Sequence, residues 1–158
     1  MILSDAIPLS LELLDIFRPV CRRIEIAGSI RRKAKEVGDI EVVAQLDPAH
    51  LYDYARILSQ YRVTKGGPKM KLVYFEYRFM SVNLFTADRD NWGAILTVRT
   101  GSAAFSRDVL AAGWVKAGYH SQDGHLRAAN GERVPVREER DLFELIGVPW
   151  LEPEERNL

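Results

Sequence analysis

The segment from Gly28 to Arg32, Gly-Ser-Ile-Arg-Arg, combines residue types that suit a chain of phosphate groups. Backbone N–H groups and the hydroxyl at Gly28-Ser29 can donate hydrogen bonds to phosphate oxygens. Arg31 and Arg32 can add the charge-assisted contacts that a triphosphate needs. The segment therefore predicts a site for a phosphorylated ligand.

Two carboxylates follow at a spacing of two, as Asp39-Ile40-Glu41. Alternate side chains of a strand point to the same face, so Asp39 and Glu41 lie side by side while Ile40 faces the core. Adjacent carboxylates repel one another unless a cation such as Mg²⁺ neutralises them. A phosphate-binding segment beside a metal-binding carboxylate pair is typical of phosphoryl or nucleotidyl transfer.

The elements that position these groups follow from the apolar pattern. Short runs of β-branched and small residues, Ile24–Ala27 and Val42–Ala44, predict a strand on each side of the segment. Before them, Ser4 or Asp5 can cap a helix that runs to about Phe17. That helix is expected to pack on the sheet through one face, made of Ile7, Leu11 and Leu14.

After the carboxylates, Asp47-Pro48 indicates a helix start, and Leu51, Tyr54, Ala55 and Leu58 recur at helical spacing. A short strand is expected at 61–64 and a basic turn at 65–69. Residues 71–85 form either one long strand or two strands with a break near 76–78, and the pattern leaves both open.

A polar stop at 88–91 predicts a domain boundary, with residues 1–88 before it and 89–158 after it. A helix is expected from Trp92 to about Arg99, ending at Gly101, and Ser102 caps the next helix, which finishes near Lys116. Asn130-Gly131 predicts a type I′ hairpin within 126–134. A last helix runs from Glu138 or Glu139 to Gly147, followed by an extended tail that packs through Trp150.

Composition narrows the class of protein. The chain has 158 residues with 22 basic and 22 acidic side chains, so any binding of nucleic acid must rest on a local patch. A single cysteine, Cys21, excludes an internal disulfide and suits a reducing compartment. No apolar run reaches membrane-spanning length and no signal-peptide pattern is present, so we expect a cytoplasmic monomer without membrane contact.

The stretch from Gly28 to Glu41 consists of Gly-Ser, nine further residues and then Asp-x-Glu. This pattern resembles the signature of the polymerase-beta-like nucleotidyltransferases. Arg31-Arg32 and Gly38 directly before Asp39 are similar to the family X DNA polymerases in particular. Further likeness lies in Thr100-Gly101-Ser102 before a helix and in the tail after Val134. The resemblance implies an α+β fold, in which a palm with a mixed sheet and packing helices precedes a mostly helical thumb with a small hairpin.

The resemblance also implies roles for individual residues. Asp39, Glu41 and Asn83 match the catalytic, metal-binding positions for two Mg²⁺ ions, with Mn²⁺ as a substitute. The matching nucleotide-binding positions are Gly28, Ser29, Arg32, Gly38, Gly101 and Ser106. Arg107 matches a cation near the template, and Lys65 and Lys69 are candidates for a DNA-binding patch, although such lysines can equally form a solvated face. The partners are then a dNTP and primer–template or gapped DNA, and the setting is DNA repair.

Three departures from the family pattern bear on function. Val98-Arg99 replaces an aromatic pair that selects the sugar, and Ala103 and Ser106 stand where longer polar side chains contact the base. The largest departure is Asn83, because the family carries an aspartate at this position. An amide, unlike a carboxylate, is neutral and a poor base.

Two explanations of Asn83 stay open: a substitution made to trap substrates, or a natural member with lost or altered catalysis. In a third alternative, Asp88 or Asp90 takes over the missing role, although both lie beyond the strand. At the level of function, the leading hypothesis is a small DNA polymerase that fills gaps, impaired by Asn83. The alternatives are transfer to an RNA, protein or small-molecule acceptor, and a non-catalytic module that binds nucleotide or DNA.

Overall fold

A computed structural model describes the whole chain, from Met1 to Leu158. A five-stranded sheet fills the first part of the chain, in the order β1-β2-β5-β4-β3. Its strands are β1 (Cys21–Ile26), β2 (Asp39–Leu46), β3 (Val63–Gly66), β4 (Leu72–Tyr77) and β5 (Met80–Thr86). Only β2 and β5 pair in parallel, and the other neighbours are antiparallel. This mixed sheet with its helices confirms the predicted α+β class.

Helices α1 (Leu3–Phe17), α2 (Gly28–Arg31) and α3 (Leu51–Leu58) belong to this part of the chain. Helix α1 ends at Phe17 as predicted, but the predicted cap at Ser4 or Asp5 is wrong, because both residues lie inside the helix and no side chain caps it. The predicted packing face is right at Leu14 and wrong at Ile7 and Leu11. Ile7 and Leu11 are 39% and 53% exposed, whereas the buried residues of α1 are Ala6, Ser10, Leu13, Leu14 and Phe17. Small residues at 6 and 10 let the helix approach the sheet, and the Ser10 hydroxyl can be buried because it donates to the Ile7 carbonyl at 2.7 Å.

The open question at 71–85 is resolved in favour of two strands. β4 and β5 form a hairpin in which Tyr77 pairs with Met80. Its two turn residues, Arg78 and Phe79, both adopt positive φ, 46° and 67°. Such a turn matches the twist of an antiparallel pair, although Asn-Gly is the usual choice, which is why the sequence does not signal it.

The second part of the chain contains α4 (Trp92–Thr100), α5 (Ala103–Phe105), α6 (Ala112–Lys116) and α7 (Glu139–Ile146). A π-helical segment, Ser106–Ala111, joins α5 to α6. The Ser102 hydroxyl accepts from the Phe105 N–H at 3.1 Å, so the predicted cap is present. Helix α7 also agrees, with a capping box at Glu138 and a left-handed Gly147 at its end.

A three-stranded sheet made of β6 (His120–Gln122), β7 (His125–Arg127) and β8 (Arg133–Val134) completes the second part. The expected type I′ turn at Asn130-Gly131 is wrong, because only Gly131 has positive φ in the loop between β7 and β8. The left-handed pair lies instead at Asp123 and Gly124, with φ of 54° and 77°, and it connects β6 to β7.

Apolar packing connects the two parts. One cluster lies between the five-stranded sheet and α1, and another lies among the helices and small sheet of the second part. A third joins them, because the sheet residues Val43 and Phe85 pack against Trp92 and Leu96 of α4. Helix α4 is thereby fixed on the sheet face that carries Asp39 and Glu41. No helix combines the length and apolar character needed to cross a bilayer.

Candidate active site

The two carboxylates lie near the start of β2. Ile40, between them, is fully buried, so Asp39 and Glu41 share the opposite face of the strand. Because β2 and β5 are parallel neighbours, Asn83 lies in register with Glu41. The Asn83 amide donates a hydrogen bond from Nδ2 to Asp39 Oδ2 at 2.8 Å. The structure thus brings together the three side chains that the sequence singles out for metal binding and catalysis.

Glu41 occupies an unfavourable place for a charge. Its pKa is raised to about 7, first because burial disfavours the ionised form and second because Asp39 lies close by. Arg99 and Arg32 act in the opposite direction but do not outweigh these two effects. A carboxylate pair of this kind is stabilised by a cation.

Gly28 is required by the position of Glu41. Its φ is +60°, and a Cβ at this residue would lie 1.9 Å from Glu41 Oε2. Directly after it, the Ser29 hydroxyl oxygen is buried and has no hydrogen-bond partner in the protein. A buried hydroxyl without a partner is costly, and a bound ligand oxygen would remove that cost. Gly28 and Ser29 therefore form a close-fitting edge to the carboxylate site.

The two arginines that follow have different partners. Arg32 donates from Nη1 to the Thr100 carbonyl at 2.8 Å and from Nε to Asn157 Oδ1 at 2.8 Å. Arg31 instead forms a two-point ion pair with Glu139, at 2.6 and 2.9 Å. The expected contact between Arg31 and a triphosphate is therefore replaced by a contact that ties α2 to α7.

Glu139 is the centre of a buried ion cluster, which we call the junction cluster and which consists of Arg31, Glu139 and Arg156. Arg156 is fully buried and donates from Nη1 to Glu139 Oε2 at 2.5 Å. Burial alone would raise the pKa of Glu139, but Arg31 and Arg156 outweigh it and hold that pKa below its ordinary value. Arg31 also donates to the Thr100 hydroxyl at 2.7 Å. The cluster links the segment around Gly28 to the end of the chain.

A cleft of about 340 Å³ opens beside Glu41. Its lining consists of Arg32, Glu41, Val98, Arg99, Gly101, Ser102, Ala103 and Ser106. The cleft thus has one wall from the five-stranded sheet and α2, and another from the helices of the second part. Because it contains two guanidinium groups and one metal-type carboxylate, its chemistry suits a phosphorylated ligand that carries a cation.

The remaining predicted nucleotide-binding residues differ in whether they line the cleft. Gly101 lines the cleft with an extended backbone, and its Cβ would lie 2.5 Å from the Phe105 ring, which explains the glycine. Ser106 lines the cleft too, but its hydroxyl donates to the Val98 carbonyl at 2.7 Å. Gly38 is exposed, has open space around it and does not line the cleft.

The proposed DNA-contacting cations are all exposed and lie outside this cleft. Arg107 pairs with its neighbour Asp108 at 2.8 Å. Lys65 lies over the Tyr74 ring at 5.3 Å, on the edge strand β3. Lys69 follows in the turn between β3 and β4. Their roles in binding DNA stay predictions.

Sequence reasoning missed two contributions to the site. It treated Arg99 only as the replacement of an aromatic residue, whereas the Arg99 guanidinium stacks on Phe85 at 4.0 Å and lines the cleft. Arg99 lies two residues before Gly101, which the resemblance assigned to nucleotide binding. That position is the signal that could have identified Arg99 as a site residue. Glu139 and Arg156 were also missed, and no local pattern marks them, because their contacts span long sequence separations.

The donor set fits a hard divalent cation only in part. No group of three or more His, Cys, Asp or Glu side chains is placed to hold a metal ion. Asp39 and Glu41 offer two carboxylates, and Asn83 offers an amide whose Nδ2 is directed at Asp39. Carboxylate and amide oxygens are the ligands that Mg²⁺ accepts, so the residues fit the ion with one charge fewer than three carboxylates would supply.

Comparison with known families concerns the second part of the chain. Residues 95–157 match the family model described as the DNA polymerase beta thumb. Comparison with curated proteins gave no significant match. The matched range includes Arg99, Gly101 and Ser106, which form one wall of the cleft, and both Glu139 and Arg156 of the junction cluster. The chain therefore carries a thumb of the DNA polymerase beta type, which supports a polymerase-beta-like family.

Proposed function

We propose that the chain catalyses metal-dependent nucleotidyl transfer from a dNTP to the 3′-hydroxyl of a DNA primer, including the filling of gaps. The observation that carries this proposal is the position of Glu41, which lies beside Asp39 on the sheet and lines a cleft whose far wall belongs to the polymerase-type thumb. In the reaction, the primer oxygen bonds to the α-phosphorus, the bond to pyrophosphate breaks, and the hydroxyl proton passes to solvent water.

Asp39 and Glu41 would hold two Mg²⁺ ions, or Mn²⁺ in their place, with Asn83 as the third ligand. When bound, such ions supply Lewis-acid activation of the hydroxyl and the phosphoryl group, together with neutralisation of the leaving group. Arg32, held by Thr100 and Asn157, is fixed in place for the triphosphate, and the free Ser29 hydroxyl is close by in sequence to donate to it.

Asn83 weakens the proposed catalysis. Its neutral amide cannot accept the primer proton, and its contact with Asp39 reduces the negative charge presented to a cation. A full charge about 4 Å from a dication is worth several kcal/mol at an effective dielectric constant of about 20. The missing carboxylate therefore lowers the rate by on the order of 10³-fold.

The proposal is tested by extension of a labelled primer on gapped DNA, in Mg²⁺ and separately in Mn²⁺. We expect slow extension by the chain as it stands and an increase in rate of about 10³-fold for Asn83→Asp. The double variant Asn83→Asp/Asp39→Asn should show no extension. The double variant controls for a contaminating polymerase. If Asn83→Asp folds normally and extends no faster than the parent chain, our account of position 83 is wrong.

A non-catalytic module that binds nucleotide or DNA is the second candidate, and the contact between Asn83 and Asp39 favours it. A site whose third acidic group is replaced by an amide keeps its phosphate-binding arginines while losing its base. Titration with dNTP and with DNA, alongside the extension assay, separates the two. Binding without turnover in either metal, and without gain from Asn83→Asp, supports the module.

A further inference from the structure

A second cleft opens on the same face of the sheet, on the other side of α4. Side chains alternate along β2, so Val43 and Gln45 continue the row that begins with Asp39 and Glu41. Val43 is fully buried against Trp92 and Leu96, whereas Gln45 emerges beyond them. Gln45 there lines a cleft of about 440 Å³, which shares no residue with the cleft at Glu41.

Three cations line this second cleft: Arg22, Lys71 and Arg89. Lys71 is held in place, because its Nζ donates to the Asp123 carbonyl at 2.7 Å. Neither Arg22 nor Arg89 forms an ion pair with a carboxylate, whereas nine of the sixteen arginines of the chain do. Two guanidinium groups with free N–H donors therefore face the same space.

The only carboxylate in the lining is Asp88, and its oxygens are occupied. Oδ1 accepts from the backbone N–H groups of Asp90 and Asn91, at 2.8 and 3.0 Å, and Oδ2 lies 3.0 Å from His125 Nε2. Asp47 lies between two lining residues but outside the lining itself, and the charge of Arg22 is the last of the causes that lower its pKa. The lining therefore carries three cations against one carboxylate, in a chain whose formal net charge is +0.

We propose that the second cleft binds a phosphate group of a DNA strand, separately from the nucleotide site. Paired guanidinium groups with an ammonium group and neutral hydrogen-bonding side chains, Gln45 and Thr86, recognise phosphate by charge and by geometry. The choice of DNA as the source of the phosphate rests on the proposed function. Glu41 and Gln45 lie four residues apart on β2, with about 13 Å between their Cα atoms, and α4 packs over Val43 between them, so the two clefts are separate sites.

The test uses the full chain and amide NMR shifts at Thr86, Ala87 and Arg89 during titration with pentathymidylate, with and without a 5′-phosphate. The variant Arg22→Ala/Arg89→Ala removes the two free guanidinium groups. Lys116→Ala/Arg133→Ala is the matched control, since both of its residues are exposed, unpaired and outside the cleft. For the parent chain and the control we expect saturable shifts with affinities within twofold of each other, and for the cleft variant at least tenfold weaker binding.

A response confined to the 5′-phosphorylated strand assigns the cleft to a terminal phosphate, and an equal response to both strands assigns it to the backbone. Either response supports the proposal, provided that the cleft variant loses it. Shifts that are absent in the parent chain, or that persist in the cleft variant, overturn it. Because the titration needs no turnover, cleft binding without primer extension by Asn83→Asp would count against the proposed function alone.

Discussion

The carboxylate site on β2 and the junction cluster both gather ionisable side chains away from water, but they balance charge in opposite ways. In the junction cluster, two guanidinium groups surround the single carboxylate of Glu139 at hydrogen-bonding distance. At the carboxylate site, the Asn83 amide is the only side chain that hydrogen-bonds to Asp39 or Glu41, and the charges of Arg99 and Arg32 do not outweigh the burial of Glu41. One set of charges is satisfied by the fold, and the other is left for a ligand.

The difference appears in the two glutamates. Both are largely buried, yet the pKa of Glu41 is raised to about 7 while the pKa of Glu139 is held below its ordinary value. Burial acts in the same direction on both, so the neighbouring charges decide the outcome. A raised pKa for a carboxyl group in a cleft is typical of functional sites, so the contrast supports the proposed role of Glu41.

Removal of the Glu139 charge should have the largest effect on stability. Glu139→Gln leaves Arg31 and Arg156 without their carboxylate, and breaking a buried ion pair in this way costs about 3–5 kcal/mol. Urea denaturation measures the loss in the free energy of unfolding. Glu144→Gln, an exposed and unpaired position on the same helix, is the control and should change it by less than about 0.5 kcal/mol. Equal effects of the two changes would show that water satisfies the arginines.

Substitution of Gly28 should have the second-largest effect on stability. The added Cβ of Gly28→Ala meets the Glu41 carboxylate and the positive φ adds strain, so we expect a loss of about 1–3 kcal/mol. Displacement of Glu41 should also weaken the binding of Mn²⁺, measured by calorimetry. Gly38→Ala, with open space around it and no positive φ, is the matched control. If Gly28→Ala binds Mn²⁺ with unchanged affinity, Glu41 is not a ligand of the metal ion.

Relief of the repulsion between the two carboxylates should stabilise the chain. Asp39→Asn removes a charge that raises the pKa of Glu41, and we expect a gain of about 0.5–2 kcal/mol in EDTA. In Mn²⁺ the gain should shrink or reverse, because the parent chain then has a cation to bind. Thermal denaturation in both buffers measures the difference. If the variant is less stable than the parent chain in EDTA, repulsion between Asp39 and Glu41 does not destabilise the folded chain.

The smallest expected effect is on the pH dependence of stability. Because the folded-state pKa of Glu139 lies below its ordinary value of 4.5, its contribution is complete above that value and is lost as the pH falls through the folded-state pKa. Urea denaturation from pH 7 down to pH 3 should show a steeper loss for the parent chain than for Glu139→Gln. Parallel curves would mean that Arg31 and Arg156 do not favour the ionised form.

The site residues close together in sequence were predictable, and those brought together by long-range packing were not. Strand alternation at 39–41 and the short turn at Gly28-Ser29 are local properties, and the resemblance to a polymerase palm added Asn83. Helix α1 shows the limit, since its end at Phe17 followed from local signals while its buried face depended on how closely Ala6 and Ser10 approach the sheet.

The sequence alone determined the α+β class, the pair of carboxylates beside the Gly28-Ser29 turn, the capped helices of the second part and the neutral residue at position 83. Tertiary structure decided that Arg31 would bind Glu139 while Arg32 kept its place at the cleft, and that Arg99 would join the cleft from α4. The physical reason is that a backbone pattern fixes which side of its own element a residue occupies, whereas the partner of a charge is chosen by the elements that fold against it.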